Sequence, residues 1–301
     1  MNALPSASAS SSSLVRLPRV LVFDSGIGGL SVLQASRTTL PGEDVVYVAD
    51  SAHTPYGERS DAFVAERTLA IARHLRDAHG AKLLVIACNT ASAAGAHAVR
   101  HDNPGWPVVA IEPALKPAAH HTRTGHVGVL ATRGTLASHK FGALCDAMRE
   151  THPAVRFTPV ACDGLASSIE QWALSGDGSQ SRALLDRYLA PLAPFGSEGD
   201  ATDTLVLGCT HYPLIREQIA HRIPAGVTLI EAGQPVARHA QRLLHSTGLL
   251  RFSPGHSVAP PPGHLRLLAT GTTQTLHAAA LRWLPGATAG AAAPSVATLA
   301  I

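Results

Sequence analysis

Two cysteines stand in matching settings in this chain. Cys88 is followed by Asn89 and Thr90 in KLLVIACNTAS, and Cys209 by Thr210 and His211 in TDTLVLGCTHYP. Each closes an apolar run and opens onto polar side chains. One such cysteine is usually a small buried hydrophobe. A matched pair admits more. Cys209 and His211 with Cys88 would make three metal ligands, although no second close pair completes a tetrahedral set. One thiol beside His211 would make a nucleophile, which leaves the other sulfur without a task. A thiol and a thiolate on opposite faces of one carbon would take a proton from one side and return one from the other. Only this two-base transfer uses both sulfurs. An ordinary cysteine titrates near ~8.5, so each needs a neighbour to set its protonation state. His211 is the local assistant for Cys209. Asp24 is the carboxylate available to Cys88, as a proton relay, because its negative charge would disfavour a thiolate.

Asp24-Ser25-Gly26-Ile27-Gly28-Gly29 follows the first apolar run. It departs from a dinucleotide fingerprint, since Ser31 stands where the last glycine belongs and only Asp50 offers itself as the later acidic residue. The glycines would let the backbone turn tightly beside a ligand, with a carboxylate and a hydroxyl aimed into the crevice; a helix cap at Ser25 is the plainer alternative. Pro55-Tyr56-Gly57 reads as a turn with exposed amides beside an aromatic wall. Glu112, before Pro113, suggests a hinge or helix start, and Glu170 falls on a predicted helix after Cys162; either also suits a solvated or capping charge.

Elements that could position these groups alternate along the chain. RVLVFDSG, DVVYVADS, KLLVIACNT, PVVAIEP, HVGVLATR, VRFTPVAC, TDTLVLGCT and GVTLIEAG are short, apolar and bounded by turn residues, as buried strands are. Between them, stretches such as SDAFVAERTLAIARHLRDAHG carry helical spacing, with Gly80 as a helix stop. This alternation predicts an α/β fold of doubly wound parallel sheets, whose ligands sit beyond the carboxyl ends of the strands. The echo between the two cysteine segments suggests two similar lobes, each presenting one thiol.

Composition narrows the class. The chain has 301 residues, 46% apolar and 15% charged, with a formal net charge of +3 and no long basic run. That describes a globular protein and gives no sign of nucleic-acid or membrane binding. The four cysteines include no CxxC pair, which fits reduced thiols in the cytoplasm. No apolar stretch is long enough to span a bilayer. Residues 1–17 are Ser/Ala-rich and expected to be disordered, and the Ala/Gly/Pro-rich tail is expected to fray.

DSGIGGLSV, PYGERS, ACNTAS, IEPALKPA, LATRGTLASHKF, CDGLASSIE and VLGCTHYPLI, in this order, resemble the glutamate racemases of the bacterial Asp/Glu racemase superfamily. The resemblance runs from about Arg19 to at least Gly233. It implies cofactor-independent interconversion of L- and D-glutamate, with D-glutamate supplied to peptidoglycan. It implies Cys88 and Cys209 as the acid–base pair, acting on D- and L-glutamate respectively, supported by Asp24, His211 and Glu170. Asp24, Ser25, Tyr56, Gly57, Asn89, Thr90, Thr210 and His211 would hold the substrate. The implied architecture is two lobes related by a pseudo-twofold, with the active site in the cleft between them. The first would take 18–113 and 230–285 and the second 114–229, leaving a flexible tail at 286–301. A homodimer without nucleic-acid or membrane partners completes the expectation. Rival readings are an aspartate racemase using the same thiols and a non-catalytic binding module that kept the fold. A pyridoxal-phosphate racemase finds no convincing setting at Lys82, Lys116 or Lys140.

Overall fold

A computed structural model describes residues 19–252, 261–284 and 295–301. The eight apolar runs form strands: β1 (Arg19–Asp24), β2 (Val45–Ala49), β3 (Ala81–Ile86), β4 (Val108–Ala110), β5 (His126–Ala131), β6 (Arg156–Ala161), β7 (Thr204–Leu207) and β8 (Thr228–Ile230). β9 (Leu265–Ala269) and β10 (Val296–Thr298) follow. They make two wholly parallel sheets, ordered β10-β9-β2-β1-β3-β4 and β6-β5-β7-β8. Helices separate all consecutive strands, as parallel crossovers require.

The strands β1, β2, β3 and β7 are almost entirely buried, which explains their unbroken apolar runs. One crossover shows how local sequence sets the element ends. Ser60 caps the helix Asp61–His79 by accepting from the Phe63 N–H at 3.3 Å. Gly80 ends it in the left-handed region at φ 60°, where a side chain would be strained.

The four strands β2-β1-β3-β4 repeat the order of β6-β5-β7-β8. In both, the chain first moves to one side of the founding strand and then crosses to the other. The crevice opens where that direction reverses, beyond the carboxyl ends of β1 and β3 in one sheet and of β5 and β7 in the other. Cys88 follows β3 and Cys209 follows β7. The echo in the sequence is therefore an echo in topology.

Two strands differ from the sequence reading. β9 was not anticipated; its first residues are partly exposed and Arg266 interrupts the apolar run. The tail expected to stay flexible from 286 contains β10, which pairs in parallel with β9 at Val296–Leu267 and Thr298–Ala269. A β-branched pair around Ala297 suits an edge strand, and the open edge of β9 supplies its hydrogen bonds. The Ser/Ala extension at 1–17 lies outside the described residues. Among the described residues no helix is long and apolar enough to cross a membrane.

The helix Gln274–Trp283, which follows β9, packs on the helix Leu165–Ser175 of the other sheet's layer, and Trp172 meets Trp283 edge to face at 6.1 Å. That contact steadies the helix carrying Glu170.

Candidate active site

The strand ends converge on one cleft lined by Ser25, Tyr56, Gly57, Cys88, Asn89, Thr90, Cys209, Thr210 and His211, together with residues after β5 and β6. Both sulfurs belong to buried residues, each 6% exposed. The cleft is narrow at about 30 Å³, room for one or two waters.

Each thiol has its own chain of neighbours. The Cys88 sulfur lies 3.5 Å from Ser25 Oγ, which in turn donates to Asp24 Oδ1 at 3.3 Å. Cys88 also caps the helix Asn89–Asp102, accepting from the Ala91 N–H at 3.4 Å. The Cys209 sulfur lies 3.7 Å from His211 Nδ1, and His211 Nε2 lies 2.9 Å from Glu170 Oε1. Each sulfur is thus backed by a protic side chain and then by a carboxylate. The two relays differ in one respect: an imidazole can carry a positive charge and a hydroxyl cannot.

Protonation follows from these neighbours. Burial, reinforced by the Asp24 charge, pushes the Cys88 thiol up to about 12 against the pull of its hydrogen bonds from Ser25 and Ala91. At neutral pH Cys88 is a thiol with a proton to give. Burial alone would lower His211, but its contacts with Cys209 and Glu170 outweigh that and hold it well above the usual imidazole range. Those contacts favour the cationic form of His211. Asp24 is pushed upward by burial, against the opposing pull of His211, the Gly26 N–H and Thr210.

Asp24 and Glu170 do not line the cleft; they stand behind it. Asp24 is fully buried, with Oδ1 taking the Gly26 N–H at 2.9 Å and Oδ2 taking Thr210 Oγ1 at 2.9 Å. Glu170 Oε1 also takes the Ile27 N–H at 3.0 Å. Ser31 Oγ donates to the Thr210 carbonyl at 3.0 Å. These three contacts, from Thr210, Ile27 and Ser31, join the end of β1, the loop after it and the helix Leu30–Thr39 to the elements of the second sheet. The glycines make the approach possible: a Cβ on Gly26 would lie 2.0 Å from Glu170 Oε1, and one on Gly28 would lie 2.4 Å from His211 Nδ1.

Tyr56 lines the cleft but spends its hydroxyl elsewhere, donating to Asp50 Oδ2 at 2.6 Å. Asp50, the one later acidic residue a dinucleotide fingerprint could have used, is fully buried and takes Arg67 through two nitrogens, Nη2 at 2.9 Å and Nε at 3.2 Å, with Thr270 as a further donor. Burial would raise its carboxyl, but the bonds from Arg67, Thr270 and Tyr56 hold it below the usual range. A depressed carboxyl stabilises the fold above its unfolded value of ~3.9, and that contribution is lost as pH falls through the folded value. Asp50→Asn is accordingly expected to cost about 3 kcal/mol near neutral pH. The gap to the unsubstituted protein should narrow as the pH is taken below about 4. Denaturant titrations across pH check this, and a gap that stays constant into acid would contradict it.

Asn89 and Thr90 face the cleft from the helix that Cys88 caps. The Asn89 Oδ1 is buried with no hydrogen-bond partner. Thr90 Oγ1 lies 3.1 Å from Thr132 Oγ1. Sequence reasoning passed over Thr132, Arg133, Cys162 and Asp163, which also line the cleft. The rule that ligands sit beyond strand ends points at all four, which follow β5 and β6. Glu112 stays on the exposed surface, 3.7 Å from Lys140, away from these groups. Lys82, considered as a Schiff-base lysine, is buried against Glu43 at 2.5 Å and donates to the Leu249 carbonyl. Among the described residues no three His, Cys, Asp or Glu side chains are grouped to hold a metal ion.

Residues 30–240 match the Asp/Glu/hydantoin racemase family. The glutamate racemase of Pseudomonas syringae pv. tomato is 49% identical over 235 residues, covering 77% of this chain and 81% of that protein. Among solved structures, the glutamate racemase isoform RacE1 of Bacillus anthracis superposes with a TM-score of 0.78 at 28% identity, covering 95% of this chain and 98% of that one. The Escherichia coli glutamate racemase, in complex with L-glutamate and the activator UDP-MurNAc-ala, superposes with a TM-score of 0.74 at 33% identity, covering 89% and 95%.

Proposed function

This chain belongs to the Asp/Glu/hydantoin racemase family of isomerases, and from that premise we propose that it interconverts L- and D-glutamate by proton transfer between Cys88 and Cys209. The observation that carries the reading is two buried thiols lining one cleft, each backed by its own relay to a carboxylate.

In the direction from L-glutamate, Cys209 takes the α-proton as a thiolate, and the cationic His211 beside it accompanies the negative charge. The Cα–H bond breaks and an S–H bond forms on Cys209. From the other side Cys88, held as a thiol, gives its proton to Cα, and the inverted amino acid leaves. Cys88 is then the thiolate and Cys209 the thiol, the form that acts on D-glutamate. Proton exchange with solvent through the two relays restores the first form. Asp24 and Glu170 act through Ser25 and His211 and are positioning residues.

The polar lining suits an amino acid. An unpartnered buried acceptor such as Asn89 Oδ1 costs about 1–3 kcal/mol, and a substrate ammonium would relieve it. The hydroxyls of Ser25, Thr90 and Thr210 and the amide at Gly57 are donors for carboxylates. The family resemblance further supports a cytoplasmic homodimer supplying D-glutamate for peptidoglycan. All four cysteines are free, as a reducing compartment would leave them.

The test is to incubate the purified protein with L-glutamate, without added cofactor, and follow the optical signal. Enantiomers have equal free energy in water, so the expected end point is an equimolar mixture. L-Aspartate in place of glutamate should react far more slowly. A stable L-glutamate signal would overturn the proposal.

A further inference from the structure

We propose that Arg133 receives the side-chain carboxylate of the incoming amino acid at the mouth of the cleft, and that Asp163 occupies Arg133 as a competing carboxylate until it arrives. This rests on the glutamate racemase reading and adds to it the residue that selects an acidic substrate.

Among the described residues lining the cleft, Arg133 is the one lysine or arginine. Apart from His211, the other charged side chains lining the cleft are the carboxylates Glu58 and Asp163. His211 is already engaged by Glu170 and Cys209. An amino acid with two carboxylates therefore meets an anionic rim relieved at one point. Neutral hydroxyls and amides deeper in the cleft can bind a carboxylate, but they cannot draw one in over a distance.

Arg133 pairs with Asp163, and the two side chains are 69% and 44% exposed. An exposed pair is weak in water, so a second carboxylate can displace the first with little loss. The planar guanidinium also offers two parallel N–H groups to a carboxylate. Both residues are mounted on fixed backbone. Arg133 opens the helix Arg133–Ala137 that Thr132 caps, and the Thr132 hydroxyl touches both Thr90 and Thr135. The Asp163 carbonyl is held by the Tyr188 hydroxyl at 2.6 Å. Arg133 thus lines the same cleft as Asn89 and Thr90, where the substrate backbone is proposed to sit.

The experiment measures kcat and KM for L-glutamate from low to high salt in the full chain, in Arg133→Ala, in Arg133→Lys and in Asp163→Asn. Arg133→Ala is expected to raise KM about tenfold, with kcat falling far less, and to flatten the salt dependence of kcat/KM. Arg133→Lys, which keeps the charge without the fork, should recover the salt dependence and part of KM. Asp163→Asn frees the guanidinium and should lower KM by about twofold. A merely structural pair would move thermal stability and leave the salt dependence untouched. An Arg133→Ala enzyme with the original KM and salt dependence overturns the inference, as does an Asp163→Asn enzyme with a raised KM. Those results leave the racemase reading standing, provided the unsubstituted chain racemises glutamate. Failure of the unsubstituted chain to do so overturns both.

Discussion

Cys88→Ala and Cys209→Ala are each expected to lower kcat about a thousandfold or more, in both directions of the reaction. Every turnover takes a proton on one sulfur and gives one from the other, so the loss of either stops both L-to-D and D-to-L conversion. A single-nucleophile mechanism would instead leave one cysteine dispensable. The substitutions also touch structure, because the Cys88 sulfur accepts the Ala91 N–H at the head of its helix. Losing such a cap costs about 1 kcal/mol. Cys88→Ser separates the two effects. Its oxygen caps the helix at least as well, but a serine hydroxyl is too weak an acid and too poor a base for the α-proton. The serine variant should melt like the unsubstituted protein and remain inactive. Polarimetry from each enantiomer, together with thermal melts, checks this. Undiminished turnover by either cysteine variant would rule out the two-thiol mechanism.

Gly28→Ala should be nearly as damaging, although it adds one carbon to a residue that does no chemistry. Gly28 is not in the left-handed region, so alanine can adopt its backbone. Space is the constraint. The new Cβ would lie 2.4 Å from His211 Nδ1 and 2.6 Å from Thr210 Oγ1, both on the opposite sheet's elements. Either His211 swings away from Cys209 and Glu170 or the lobes fail to close; both misplace an acid–base group. Misplacement on the order of 1 Å can cost about a hundredfold, and that is the loss expected in kcat. Gly142, around which a Cβ meets nothing within 4 Å, is the matched control, and Gly142→Ala should retain full activity. A Gly28→Ala enzyme as active as that control would show that the close packing of the two lobes here is not needed.

Legibility from sequence followed the chemistry of each residue. The thiols were visible because cysteine followed by polar side chains at two matching strand ends is hard to account for by packing. Eight strands were visible because parallel strands buried on both faces read as unbroken apolar runs. The partition of roles among carboxylates was not. Asp24 next to a glycine turn reads as pointing into the crevice, yet the fold turns both its oxygens to Gly26 and Thr210 and leaves Ser25 to face Cys88. Thr132 was hidden by its second role, since a threonine ahead of a helix reads as a cap, and it does cap. Nothing in the sequence singles out Arg133 and Asp163, and only the folding of β5 and β6 side by side shows them at one mouth. β10 was lost in an Ala/Gly/Pro-rich tail because three residues carry too little pattern to announce a strand without the edge they pair with.

The most direct test of two opposed monoprotic bases is the early time course of deuterium in D₂O, starting from unlabelled L-glutamate. Cys209 carries the abstracted hydrogen and can only hand that same hydrogen back, whereas Cys88 delivers one that came from solvent. The account predicts that the D-glutamate formed first carries deuterium at Cα while the remaining L-glutamate stays unlabelled. Deuterium entering the residual L-glutamate as fast as product appears, or product that keeps the substrate's own hydrogen, would contradict it.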